Sequence, residues 1–311
     1  MIVLYILLGL GALFLLISLL CFLVTFYNPK RTPEGMEADR LPPGKAYEPY
    51  HEAMNGWHAE TAALPCQELA ITSADGLTLR GRYYELTPDA PVEILFHGYR
   101  GFSERDMCGA VQRCFAVGHS AILADLRCHG RSDGHIITFG LRESEDVLLW
   151  IEEARRRFGG DHPMMIGGVS MGAATVLMAA GLDLPDNIRY VLADCGYTSA
   201  KAIILKIVRQ LKLPTFVYLF IRAGAVIYGG FDPDKADATA ALRRCRVPVI
   251  FFHGDRDGFV PCEMSRENYA ACAAPKTLII TADADHGLCY PVDTALYVEQ
   301  LKTFMAEHHI P

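Results

Sequence analysis

The sequence predicts an α/β fold: a mostly parallel, eight-stranded sheet flanked by helices, with a helical cap after the sixth strand and an apolar helix ahead of it all. Three observations lead there. From residue 66 onward a hairpin pattern, ELAITS and LTLRGRYYEL around Ala74-Asp75-Gly76, feeds an alternation of short apolar runs and longer helical stretches. Several of those runs are apolar without interruption, as strands covered on both faces are. A chain of 311 residues with 51% hydrophobic content is also long enough to bury one large core.

The elements follow in order. Residues 1–27, MIVLYILLGLGALFLLISLLCFLVTFY, carry no charged side chain and exceed the ~20 apolar residues that span a bilayer. No Lys or Arg precedes the run, it is longer than the apolar region of a secretory signal, and no A-x-A-like site follows it. An uncleaved single-pass membrane anchor is therefore expected. Lys30, Arg31, Arg40 and Lys45 all follow the span, which puts the rest of the chain on the cytoplasmic side. Cysteine usage agrees: nine of the ten cysteines lie outside the span, irregularly spaced and without a C-x-x-C pair.

Residues 28–65 are Pro-rich, with a short helical stretch near 51–63, and read as a linker from membrane to domain. The domain itself occupies 66–311. After the hairpin, strands are expected at VEILF (92–96), SAILADL (120–126), MMIGGVS (164–170), RYVLAD (189–194), PVIFFHG (248–254) and TLIITAD (277–283). Helices are expected at 104–117, 141–158, 171–182, 263–273 and 291–306. One connection is too long for a plain crossover and predicts the cap, at about 197–233. Pro214, Arg222 and three glycines argue against a second span within it. Its apolar face would cover a binding cleft or touch the membrane surface, and Phe216, Tyr218 and Phe220 are the substrate-binding candidates.

Composition excludes some functions. The net charge is −7 and the basic residues are unclustered, so no electrostatic footprint for nucleic acid exists. No metal-ligand spacing and no Gly-rich phosphate loop appears, so neither metal nor cofactor is expected.

The chemistry centres on Gly168-x-Ser170-x-Gly172, at a strand-to-helix junction. A sharp turn there lifts a serine hydroxyl clear of the sheet, and glycines on either side avoid collision. A serine is a poor nucleophile without a base to take its proton and an acid to orient that base. His286 follows the last strand, and Asp257 and Asp255 follow the one before, in the chain order this arrangement needs. Asp255 has a competing use as a turn cap. Oxyanion donors are the Met171 N–H, at the start of a helix, and the Tyr99 N–H in the His97-Gly98-Tyr99-Arg100-Gly101 loop. His97 is read as a hydrogen-bonding support under that loop, and the loop at 125–132 as a lateral buttress. Cys128 and Cys289 are read as small packing residues.

Residues 66–307 resemble the α/β-hydrolase superfamily: HGYRG, DLRCHGRSDG, GGVSMGAA, ADCGYTS, HGDRDGFVP and ADHG occur in that family's order. The set is most similar to bacterial membrane-anchored serine hydrolases of the esterase/prolyl-oligopeptidase-like branch. That resemblance implies Asp257, in the H-G-x-x-D-x-x-V-P pattern, as the acid, Ser170 as nucleophile, His286 as base, and Tyr99 and Met171 as oxyanion donors. Asp285 departs from the pattern, since a small residue is more usual before the histidine; facing the imidazole, it would raise the histidine's pKa. The expected activity is hydrolysis of small carboxylic esters with short to medium acyl groups. Peptide, amide and thioester substrates use the same machinery, as does an acyltransferase, and a non-catalytic membrane-tethered scaffold is the remaining alternative.

Overall fold

The computed structural model describes residues 1–30 and 32–311; Arg31, one of the expected flanking cations, lies outside the described residues. The chain runs α1 (Ile2–Thr25), α2 (Pro33–Ala38), α3 (His51–Ala63), β1 (Gln67–Thr72), β2 (Thr78–Tyr84), β3 (Val92–Phe96), α4 (Ser103–Asp106) and α5 (Ala110–Ala116). It continues with β4 (Ser120–Ala124), α6 (Glu143–Phe158), β5 (Met164–Val169), α7 (Met171–Ala179), β6 (Ile188–Asp194), α8 (Ala200–Gln210), α9 (Val217–Gly229) and α10 (Ala238–Leu242). The last elements are β7 (Val249–Gly254), α11 (Cys262–Ala271), β8 (Lys276–Thr281), α12 (Cys289–Val292) and α13 (Thr294–Glu307).

All eight strands form one sheet in the order β1-β2-β4-β3-β5-β6-β7-β8, antiparallel at β1/β2 and β2/β4 and parallel thereafter. The parallel strands are mostly apolar because helices cover both faces. Glu93 in β3 departs from this: fully buried, it is held by both guanidinium nitrogens of Arg113 on α5 (3.0 and 2.8 Å). Burial alone would raise this carboxyl, but Arg113 and His119 outweigh it and hold it at about 2. Three expected strands stop short, at Ala124, Val169 and Thr281. Asp125, Ser170 and Asp283 thereby leave the sheet at its C-terminal edge, where ligands of such sheets bind.

The helix expected at 104–117 is two helices. Gly109 between them has φ 81°, and a side chain there would press on the rings of Tyr290 and Trp57.

The described residues of 28–65, a stretch expected to be a linker, lie folded against the domain. Asn28 donates to the Cys128 carbonyl (2.6 Å), Gln112 donates to the Trp57 carbonyl (3.1 Å), and Cys108 donates to that of Met54 (3.2 Å). The exit of α1 is fastened as well. Arg100 donates to the Val24 and Tyr27 carbonyls (2.7 and 3.0 Å), and the Tyr99 hydroxyl donates to that of Thr25 (2.8 Å). Helix ends leave such carbonyls without intrahelical partners, and a cation there also suits the helix dipole.

Helix α1 is long and apolar enough to cross a membrane. Its C-terminal half packs beside α9, with Phe14 against Phe220 (ring centroids 5.2 Å) and Phe22 against Tyr228 (6.0 Å). Between them, Gly224 sits so close to the Ser18 carbonyl that any side chain would collide with it.

Candidate active site

Strand β5 ends at Val169 and α7 begins at Met171, so the chain must reverse within Ser170. That residue has φ 57° and ψ −115°, a conformation L side chains rarely adopt, and its N–H is fixed by the Asp194 carbonyl (2.8 Å). The turn is possible because the flanking positions lack side chains. A methyl on Gly168 would collide with the Gly172 backbone, and one on Gly172 with the Phe96 carbonyl. The result is a serine hydroxyl standing over the C-terminal edge of the sheet.

Two loops meet it there. His286, past β8, lies with Nε2 2.9 Å from the Ser170 Oγ and Nδ1 2.7 Å from Asp257 Oδ2. Asp257, past β7, accepts the Phe259 and Val260 N–H groups on its other oxygen (2.8 Å each). His253 Nε2 stands 3.2 Å from Asp257 Oδ2, with its ring also bonded to Ser265 and the Val260 carbonyl. Burial alone would raise the Asp257 carboxyl, but the two imidazoles outweigh it and hold it well below the usual range. An ionised carboxylate at Nδ1 keeps the proton on that nitrogen and leaves Nε2 free to accept from the serine.

Asp255 takes the other role open to it, accepting the Asp283 N–H (2.8 Å) across the neighbouring loop. Asp285 accepts the backbone N–H groups of His286 and Gly258 (2.7 and 3.2 Å) on Oδ1.

On the other side of the serine, β3 runs into the loop that carries Tyr99. A methyl on Gly98 would lie 3.8 Å from the Ser170 Oγ, so this loop is in contact with the hydroxyl. His97 lies under it, accepting the Leu126 N–H (3.0 Å) on Nε2 and bonding the Gly98 carbonyl (2.8 Å) through Nδ1. His129 accepts the Arg100 N–H (3.0 Å), and Asp125 the N–H groups of Ser103 and Arg131. The 125–132 loop thus braces the Tyr99 loop from the side. Met171, the second candidate donor, opens α7, whose first-turn N–H groups have no partner within the helix.

A cavity of about 640 Å³ reaches Ser170, His286 and Tyr99. Phe216, Tyr218 and Phe220 do not line it, which corrects their assignment to substrate. Tyr218 is buried with its hydroxyl on Asp234 (2.5 Å), Phe220 meets Phe14, and Phe216 is exposed. The apolar face of α9 serves α1 instead. Residues the sequence did not single out replace them: Pro42, Tyr47 and Met54 from the supposed linker, and Asp106, Met107 and Tyr290. Tyr47 donates to the His286 carbonyl (2.8 Å), and burial pushes its phenol well above the ordinary range. Asp106 accepts the Gly98 N–H (3.0 Å) and pairs with Arg105 (2.7 Å). The only hint for Pro42, Tyr47 and Met54 lay in the aromatic and apolar side chains scattered through a Pro-rich stretch.

Cys195, Asp257 and His286 bring three metal-type ligand atoms within 4.8 Å. Both nitrogens of His286 are already engaged by Asp257 and Ser170, and burial drives the Cys195 thiol far above its usual range. A protonated thiol and an occupied imidazole suit proton transfer better than metal ligation.

A protein-family model described as the alpha/beta hydrolase fold matches residues 91–235. An uncharacterized protein of Bacillus subtilis, YqkD, is 24% identical over 238 residues, 76% of this chain and 77% of its own. The thiohydrolase aneE of Aspergillus aculeatus is 30% identical over 137 residues, 43% of this chain and 42% of its own. Among solved structures, the Pyrococcus furiosus esterase Pf2001 superposes with a TM-score of 0.62 at 20% identity, covering 91% of this chain and 98% of its own. The family match spans the nucleophile turn, and the chain shares the α/β-hydrolase fold of that esterase over nearly its whole length.

Proposed function

We propose that the protein is a serine hydrolase of carboxylic esters, working through Ser170, His286 and Asp257. The observation that carries this is the continuous relay from Ser170 Oγ through His286 to Asp257, at 2.9 and 2.7 Å. In the first step Ser170 Oγ bonds to the ester carbonyl carbon while His286 Nε2 takes the hydroxyl proton. The Tyr99 and Met171 N–H groups stabilise the negative charge on the carbonyl oxygen. Collapse breaks the bond to the alcohol oxygen, which leaves with the proton from His286, and the acyl group stays on Ser170. Water, deprotonated by the same imidazole, then releases the acid. The resemblance to membrane-anchored esterase/prolyl-oligopeptidase-like enzymes supports the same roles.

A fluorophosphonate probe tests the assignment directly. Labelling of the intact protein and its loss in Ser170→Ala are expected; no labelling, or labelling that survives the substitution, overturns it. A second reading, thioester hydrolysis, is favoured by the stretch shared with a thiohydrolase. Matched oxygen and thioesters of one acyl group separate the two by their kcat/KM ratio.

Helix α1 serves as a membrane anchor in this reading, with the domain on the cytoplasmic side by the charges that follow it. Protease accessibility in sealed vesicles checks the sidedness.

A further inference from the structure

Helix α9 is apolar and 13 residues long, too short to cross a bilayer by itself. It is nevertheless fixed against a helix that is long enough. The contacts Phe14–Phe220, Ser18–Gly224 and Phe22–Tyr228 rise together along both helices, so the two run parallel, side by side. The Tyr228 hydroxyl ties the pair by donating to the Leu15 carbonyl (3.0 Å). Whatever medium surrounds the C-terminal half of α1 therefore also surrounds the outer face of α9.

That outer face is apolar. Leu219, Val226 and Ile227 are 62%, 49% and 50% exposed, and Leu16, Leu20 and Val24 of α1 are open as well, at 53%, 54% and 71%. The turn before α9 adds Leu211, Leu213 and Phe216. Arg222, the one cation on α9, is neutralised by two bonds to Asp232 (2.9 and 2.7 Å) and an ion pair with Asp234.

The cavity over Ser170 borders this surface on two sides. Tyr99 lines the cavity and hydrogen-bonds the end of α1, and Gln210, the last residue of α8, lines it where the α8–α9 turn begins. We infer that α9 lies in the same membrane leaflet as the C-terminal half of α1, and that the cavity takes its substrate sideways from that leaflet: an ester of a membrane-resident amphiphile. The substrate half of this inference rests on the hydrolase reading above; the position of α9 does not.

The test uses the full chain in phosphatidylcholine vesicles with or without brominated acyl chains. Tryptophan is introduced singly by Leu16→Trp, Leu219→Trp, Ile227→Trp and, on a distant surface, Leu182→Trp, and each signal is read after subtracting the parent's. Bromine quenching at 16, 219 and 227 but not at 182 is the expected result. No quenching at 219 and 227, whether or not 16 is quenched, overturns the inference. Its substrate half is tested with Leu219→Asp/Ile227→Asp. Turnover of a vesicle-embedded long-chain ester should fall about tenfold while a water-soluble short-chain ester stays within about twofold. Both rates falling together, or neither falling, overturns it. A parent that cleaves neither ester strikes the hydrolase reading, while the quenching result stands by itself.

Discussion

Helices α7 and α9 each bring a glycine against a neighbouring backbone, Gly172 against the Phe96 carbonyl and Gly224 against that of Ser18. The surroundings differ. Every residue of α7 is buried, between β5, β6, α6 and α10, so its position is over-determined by the core. Helix α9 is half open, and its principal contacts are with α1. The same device therefore does two jobs. At α7 it sets the position of a reacting atom; at α9 it sets how a whole domain meets its surroundings. Precision at the first site is what lets a strained serine persist, since the core around it bears the cost of the unfavourable backbone.

The largest effect should come from removing chemistry while leaving that packing intact. Ser170→Ala and His286→Ala are expected to lower kcat by about 10⁴-fold or more with little change in melting temperature. Asp257→Asn should cost about 10⁴-fold as well, because the amide still accepts from the Phe259 and Val260 N–H groups but favours the wrong imidazole tautomer. Steady-state kinetics on a soluble ester, paired with thermal melts, separates lost chemistry from lost fold. A comparable fall in melting temperature would mean that the relay is part of the scaffold and would erase the contrast with α9.

A smaller effect sharpens the comparison itself. Gly172→Val should destabilise the domain by about 3 kcal/mol or more, because a buried helix has no direction in which to yield. Gly224→Val pushes α9 off α1 but leaves the sheet alone, so soluble-ester turnover should stay within about twofold. Equal destabilisation by the two, measured by chemical denaturation, would show that α9 belongs to the core.

The two regions were not equally legible in the sequence. Ser170, Asp257 and His286 each follow a continuous apolar run, so local pattern places each at the end of a strand. Parallel topology then gathers those ends at one edge. The α9 region has no such logic. Phe216, Tyr218 and Phe220 are all apolar or aromatic, but pattern does not say whether a cleft, another helix or solvent meets each of them. The helix that meets Phe220 lies some 200 residues earlier in the chain. Tyr47 and Asp106 were hidden for the same reason: their partners, His286 and Gly98, are reached only after tertiary folding. The break at Gly109 shows the limit within a single element, where a left-handed backbone (φ 81°) interrupts a helical pattern.

The smallest effect concerns what the rigid edge tolerates. Asp194 ends β6, accepts the Ser170 N–H with its carbonyl, and buries a side-chain oxygen, Oδ1, that has no hydrogen-bond partner among the described residues. Burial pushes its carboxyl up to about 6, although a bond to the Cys289 thiol pulls the other way. In the unfolded chain the same group titrates near ~3.9. Between those values the unfolded state ionises first. The stability this residue contributes is thus fully present below about pH 4 and lost as pH rises through about 6. An amide cannot ionise. Asp194→Asn should therefore gain on the parent by on the order of 2 kcal/mol between pH 4 and pH 8, read by denaturant unfolding at both. A difference that does not change with pH would mean the carboxylate finds water or a partner when charged, and the edge beneath Ser170 would be softer than the packing around α7 implies.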